Sequence, residues 1–300
     1  MDEQLAENVA TVQQQIAEAA RRSGRDASEV CLVGVTKYVD VATTRALVAA
    51  GCRTLGENRP QVLWEKSSEM QGLDVRWHMI GHLQRNKVKR TVESTALIHS
   101  CDSRRLLKSI HQAGLQLDKQ VDVLLEVNVS GEAAKHGFSP DEIESVIEAV
   151  EPFSGLCVTG LMCMAGLGSD EQDVRREFDL LRQLRESNRA NVPKNVDLRE
   201  LSMGMSRDFE VAIEAGATAW AKRRGLPLRV INSVCVLSIK PNGKYKARCT
   251  AADTRASSPT PHALVSSPTA SWDGIRLTLA VAAEYGLTAR FYDIVQAYLT

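Results

Sequence analysis

A lysine that follows directly on a short apolar run is a candidate for covalent chemistry with a carbonyl. Lys37, which closes Cys31-Leu32-Val33-Gly34-Val35-Thr36, is such a residue. Partial burial lowers the pKa of an amine and frees its lone pair for attack, whereas a solvated lysine stays protonated. On position alone Lys37 also fits an ordinary surface lysine whose stem lies along apolar neighbours. Other polar groups follow later apolar runs: Glu57-Asn58-Arg59, the stretch from His78 to Lys87, Cys101-Asp102-Ser103, Asn128-Val129-Ser130-Gly131, and Ser202-Met203-Gly204-Met205-Ser206. Asn, Ser and Asp are preferred helix N-caps, and capping is the simpler account of Asp102, Ser103 and Ser130. In the segment from Ser202 to Ser206, a glycine flanked by hydroxyls ahead of a helix suits a phosphate held on backbone N–H groups. Capping explains that segment equally well. His78 and His82 are four apart, but Gly81 and the strand context deny them a shared helical face, so no zinc pair is read there. No Ser–His–Asp arrangement follows from the spacing, and no metal site is expected.

The elements that must position these residues alternate. Leu5, Val9, Val12, Ile16 and Ala20 form a helical stripe closed by Ser23-Gly24. Strands are expected at Val30–Val35, Arg53–Gly56, Trp77–Gly81, Leu97–Ser100, Val121–Val129, Val158–Met164 and Glu200–Met205. Helices are expected at Val41–Ala50, Gln84–Val92, Ser103–Ala113, Pro140–Val150, Glu171–Ser187 and Asp208–Ala215. Such alternation implies βαβ units and a parallel sheet. A doubly wound sheet normally carries a Gly-rich loop after its first strand; Thr36-Lys37-Tyr38 stands there instead, which favours an α/β barrel of the TIM type. In such barrels functional groups gather at the C-terminal ends of the strands, where Lys37 lies.

The pattern changes after about Ala219. Ser233–Ile239 and Lys244–Cys249, joined by Pro241-Asn242-Gly243, read as a β-hairpin spanning 233–249. A Ser-, Thr-, Pro- and Ala-rich stretch at 254–271 reads as a flexible linker, and 274–285 as an amphipathic helix. The division expected is therefore a barrel over 1–219 and a divergent tail over 220–300, with the eighth strand and helix of the barrel disrupted.

The chain of 300 residues has 37 Lys plus Arg against 37 Asp plus Glu. Zero net charge gives no reason to expect a nucleic-acid or anionic-membrane partner. The seven cysteines are scattered without a C-x-x-C pair, and most lie in apolar runs. They read as reduced thiols. With an acidic N-terminal stretch that lacks an apolar core, a cytoplasmic location is expected.

The runs LVGVTKYVD, LGENRPQ, WHMIGHLQRNKVK, VNVSGEAAKHG, GLMCM and LSMGMSRDFEVAIEAGAT, in this order, resemble the pyridoxal phosphate homeostasis protein family over about residues 3–218. Members resemble the barrel half of alanine racemase, the fold type III of enzymes that use pyridoxal 5′-phosphate (PLP). The resemblance implies that Lys37 holds PLP as a Schiff base, that Asn58 lies beside the cofactor ring and that His78 lines the pocket. It implies further that Ser206, with the neighbouring Ser202, Gly204 and Met205, contacts the phosphate. The family pattern lapses where members carry an apolar strand, an Arg for the pyridine nitrogen and a Gly-Ser or Gly-Thr for the phosphate. Ala219-Trp220-Ala221-Lys222-Arg223-Arg224 stands there instead, and Arg229 and Ser233 offer a mimic of the motif after a short insertion. From about residue 231 onward, the run VLSIKPNGKYKARCTA and the segment GIRLTLAVAAEYGLTARFYDIVQAYL resemble part of a copia-type retrotransposon reverse transcriptase. The implied function is a PLP carrier in intracellular PLP homeostasis, with PLP-requiring apoenzymes as partners and without strong catalysis of its own. A small PLP-dependent amino-acid racemase or decarboxylase is the alternative, and a non-functional fusion product a third.

Overall fold

Among the described residues, eight extended runs wind into one closed parallel sheet. The computed structural model describes residues 2–216, except Ala133, Leu167 and Asn191, together with the backbone of Arg229–Val234. The strands are β1 (Val30–Val35), β2 (Thr54–Glu57), β3 (Arg76–Met79), β4 (Leu97–Cys101), β5 (Val121–Glu126), β6 (Leu156–Met162), β7 (Val196–Ser202) and β8 (Arg229–Val234). Each pairs with the next, and β8 returns to β1. The expected TIM-type barrel is therefore present.

A leading helix, α1 (Asp2–Arg22), precedes β1, and helices α2 (Val41–Ala49), α3 (Pro60–Glu69), α4 (Val88–Ser94), α5 (Arg104–Gln116), α6 (Ile143–Ala149), α7 (Glu171–Ser187) and α8 (Phe209–Gly216) connect the strands. Helix α3 has no counterpart in the sequence reading. It starts with Pro60 at its first position, where the missing N–H costs nothing, and it buries Pro60, Leu63 and Lys66. A lysine on the buried face breaks the apolar stripe, which hides the helix from a periodicity argument.

Strand alternation sorts the core into two layers. Leu55, Met79, Ile98, Val123, Leu161 and Leu201 pack outward against Leu47, Leu63, Val92, Leu107, Val146 and Phe178. Val33, Leu97, Leu124 and Met162 form a separate apolar cluster within the barrel. Each fully buried Leu or Phe of this kind contributes roughly 1.5–3 kcal/mol. The short α8 is held from outside: Ile16, Ala19 and Ala20 of α1 pack on Phe209 and Ile213. Arg22 also donates to Glu210 at 2.7 Å and to Glu214 at 3.0 Å. Docking of α1 thus fixes the helix that follows the loop from Ser202 to Asp208.

The sequence reading has the eighth strand and helix disrupted and starts a hairpin at Ser233; in the structure the segment Arg229–Val234 takes the place of the eighth strand. Val30, Cys31, Leu32, Val33 and Gly34 of β1 pair in parallel with Val230, Ile231, Asn232, Ser233 and Val234. On the other edge Glu200, Leu201 and Ser202 pair with Arg229, Val230 and Ile231. Two open edges present rows of unpaired N–H and C=O groups, and Val230, Ile231 and Val234 supply β-branched residues suited to a strand there. The eighth strand exists, displaced along the chain from the place the resemblance implies. The remainder of the expected hairpin, the linker 254–271 and the helix 274–285 lie outside the described residues. Among the described residues no helix is long and apolar enough to cross a membrane.

Candidate functional site

Lys37 stands one residue beyond a buried polar anchor. Thr36 continues the ladder by donating its N–H to the Gly56 carbonyl at 3.0 Å. Its Oγ1 donates to Glu57 Oε1 at 2.6 Å. Lys66 Nζ, reaching in from α3, donates to the same Glu57 oxygen at 2.6 Å and to the Thr36 carbonyl at 2.7 Å. Thr36, Glu57 and Lys66 are all buried. Lys37 begins the turn that follows β1, at the C-terminal end of the strand and hence at the barrel mouth. Lys37 is half-buried there, its Nζ 5.3 Å from the centre of the Tyr38 ring.

Asn58 follows β2 and is also half-buried. A Cβ on Gly81 would lie 2.3 Å from the Asn58 carbonyl oxygen, so the backbone after β3 approaches that of Asn58 as only glycine allows. This close approach fixes Asn58 on the rim. His78 is fully inside the barrel. Its Nδ1 lies 2.9 Å from His99 Nε2, and His99 Nδ1 lies 2.8 Å from Ser202 Oγ. A chain of hydrogen bonds therefore crosses the interior from β7 through β4 to β3. Burial lowers the His99 pKa to about 3, so its ring is neutral and must donate at one nitrogen and accept at the other.

The segment from Ser202 to Ser206 divides between these duties. The Ser202 side chain is committed to His99. Gly204 is buried with φ 87°, a left-handed conformation that bends the chain ahead of α8. The Met205 N–H donates to Asp208 Oδ1, and the Met205 carbonyl accepts from the N–H of Asp208 and Phe209. Gly204, at the left-handed turn, and half-buried Ser206 precede α8 directly, where a helix start suits an anion.

Of the three residues read as caps, Ser103 caps α5 by accepting from the Leu106 N–H. Asp102 and Ser130 do not cap. Asp102 Oδ2 lies 2.9 Å from His82 Nδ1, and Ser130 Oγ donates to Asn128 Oδ1 at 3.3 Å in a loop not followed at once by a helix. Glu126, at the end of β5, is buried, and burial pushes its pKa to about 7, with Asp102 adding to the rise. Neither Glu126 nor His99 emerges from the sequence reading. The available signal is a polar residue inside an apolar run, as in Leu97-Ile98-His99 and Leu124-Leu125-Glu126.

The register of β8 also bears on Arg229. Its backbone pairs with Glu200, and the next residue pairs with Val30, the first residue of β1. Lys37 lies seven residues beyond Val30, roughly 23 Å at about 3.3 Å per residue. Arg229 therefore stands at the end of the barrel opposite the mouth and cannot take the place beside the cofactor ring that the resemblance leaves vacant. Ser233 pairs with Val33, nearer the mouth.

Residues 3–222 match the family model described as alanine racemase, N-terminal domain. The chain is 39% identical over 212 residues to the pyridoxal phosphate homeostasis protein of Aquifex aeolicus, covering 71% of this chain and 92% of that one. It is 37% identical over 221 residues to the protein of the same description from Pseudomonas aeruginosa, covering 73% and 92%. Among solved structures, PipY of Synechococcus elongatus with PLP bound superposes with a TM-score of 0.63 at 27% identity, over 77% of this chain and 97% of that one.

Proposed function

The chain belongs to the pyridoxal phosphate homeostasis protein family, built on the alanine racemase N-terminal domain, and from that premise we propose that it is a PLP carrier covalently charged at Lys37. The observation that carries this reading is half-buried Lys37 at the mouth of a closed parallel barrel, after a strand end clamped by Thr36, Glu57 and Lys66. The residues present fit the cofactor. Lys37 offers a primary amine for an aldehyde, the rim residue Asn58 offers an amide, and the left-handed turn at Gly204 with Ser206 offers a place for a phosphate ahead of α8. Met205 enters through its backbone position, while His78 and Ser202 support the pocket from beneath through His99.

When bound, PLP supplies an electrophilic carbon able to receive amines. The role of this chain is to keep that carbon fixed and partly sheltered until an apoenzyme in the cytoplasm takes it. The tail from about residue 231, with its likeness to a reverse transcriptase fragment, is read as an addition to the barrel that lends it one strand. The test is borohydride reduction of the PLP-treated protein followed by peptide mapping. A single pyridoxyl group on Lys37, lost in Lys37→Ala, is the expected result, with no turnover of amino acids. Attachment at another lysine, such as Lys87, would overturn the assignment. Racemisation or decarboxylation at Lys37 would establish the enzyme instead of the carrier.

A further inference from the structure

Three loops that lie far apart in the sequence place a pair of imidazoles and a carboxylate together on the rim. His82 follows β3, Asp102 follows β4 and His136 follows β5. Asp102 Oδ2 lies 2.9 Å from His82 Nδ1 and 3.8 Å from His136 Nδ1. One donor atom from each of the three lies within 4.8 Å of the others. The two imidazoles stack with centroids 4.6 Å apart. His82 and His136 are exposed, whereas the Asp102 side chain is only 8% exposed and anchors the group from below.

We propose that His82, Asp102 and His136 form a binding site for a divalent transition cation of the zinc class. Zinc bonds of about 2.0–2.1 Å to nitrogen and oxygen set the ligand atoms of a tetrahedral site roughly 3.3 Å apart. The observed 2.9 and 3.8 Å bracket that value, so small side-chain rotations admit the ion. Two imidazoles and one carboxylate favour Zn²⁺, Co²⁺, Ni²⁺ or Cu²⁺ over Mg²⁺ and Ca²⁺, which take oxygen ligands. Three protein ligands leave a fourth position open. His82 and Asp102 also line a groove of about 650 Å³ together with Gln84, Arg85 and Arg105. The open position thus lies beside a basic groove able to receive an anionic oxygen. The spacing of His78 and His82 hides this arrangement, since His82 pairs across loops and His78 faces inward. The three ligands follow β3, β4 and β5 and do not include Lys37 or the residues assigned to the cofactor, so the proposal does not depend on the cofactor reading.

The test uses the full chain without an affinity tag, before and after PLP loading, titrated with Zn²⁺ by calorimetry and with Co²⁺ by visible absorption. The expected result is one ion per chain, with affinity falling by about a hundredfold or more in His82→Ala and in His136→Ala. Loss of an outer-shell partner alone commonly costs about 10–100-fold, and here a direct ligand is removed. Thermal melting and pyridoxyl labelling of Lys37 should stay unchanged in both variants, because both histidines are exposed. Absence of a stoichiometric site, binding that survives both substitutions, or a thiolate-to-cobalt charge-transfer band would overturn the proposal.

Discussion

Removing the Lys66 amine should destabilise the barrel beneath Lys37 more than any exposed charge change does. Lys66→Met keeps the volume of the side chain and deletes two donations, one to Glu57 Oε1 at 2.6 Å and one to the Thr36 carbonyl at 2.7 Å. Glu57 is 0% exposed, so its carboxylate is left with the Thr36 hydroxyl and no water. Breaking a buried ion pair from one side costs about 3–5 kcal/mol. That is a large share of the roughly 5–15 kcal/mol by which domains are stable, and at about 2–4 °C per kcal/mol it lowers Tm by roughly 6–20 °C. The double variant Lys66→Met/Glu57→Leu removes the stranded charge as well and should recover most of the loss, since an apolar replacement of a buried pair is often neutral. Urea unfolding followed by the fluorescence of Trp64 on α3 and Trp77 on β3 measures both variants. PLP uptake by Lys37 should fall in the single variant and return in the double. A cost below about 1 kcal/mol for Lys66→Met, or a double variant as unstable as the single, would refute the view that this pair clamps the strand end.

Three further outcomes follow from the interior. His99 should stay neutral by NMR down to about pH 4, because burial lowers its pKa to about 3 from the ordinary 6.5; the stability this lends is present above pH 6.5 and is lost as pH falls toward 3. A midpoint near the ordinary value would show that the chain from Ser202 to His78 is not sealed. Burial raises Glu126 from 4.5 to about 7, so its contribution is full below about pH 4.5 and is lost as pH rises through 7. Glu126→Gln should therefore raise unfolding free energy at pH 8 relative to pH 5, by up to about 3 kcal/mol, and an unchanged pH profile would contradict the assignment. Gly81→Ala drives a Cβ to 2.3 Å from the Asn58 carbonyl oxygen and should cost roughly 1–3 kcal/mol with weakened PLP uptake; a wild-type melting curve would show that the rim can shift.

Most of the sheet was legible because each of the first seven strands is a local apolar run, and a local run needs no tertiary knowledge to be seen. Lys37 was legible for the same reason: it ends a run. The eighth strand is not, because Val230-Ile231 is a short apolar run beyond the lapse of the family pattern, and the turn residues Pro241-Asn242-Gly243 point to a hairpin further on. What called that segment into the sheet was the pair of open edges on β1 and β7, which exist only once the barrel has curled. Helix α3 was hidden by Lys66, whose burial is intelligible only when Glu57 is in place beside it. The side-chain groups at the site obey the same rule. His99 and Ser202 are 103 residues apart, and His82, Asp102 and His136 come from three loops. Spacing along the chain carries no information about such contacts; the strand order does.

The closure by β8 bears on function even though the strand brings no arginine to the mouth. Lys37 is useful as an attachment point only if the end of β1 keeps one position, and a strand is held by both of its edges. On one edge β1 pairs with β2 through Gly34 and Val35, and Thr36 extends that pairing. On the other, five residues of β1 pair with β8. Without β8 those backbone groups would face solvent or a neighbouring molecule, and the first strand would be an exposed edge prone to fraying and association. Backbone pairing asks little of side chains, so a segment unlike the family's own can supply it. Recognition of a pyridine nitrogen asks for a specific cation at a specific place, and Arg229 stands at the far end of its strand. The chain thus keeps the part of the eighth unit that any β-branched run can provide, which is enough to position Lys37. Arg229 of β8 does not supply that side chain, so on the proposed reading the covalent link at Lys37 and the loop from Gly204 to Ser206 are expected to be the main determinants of cofactor retention.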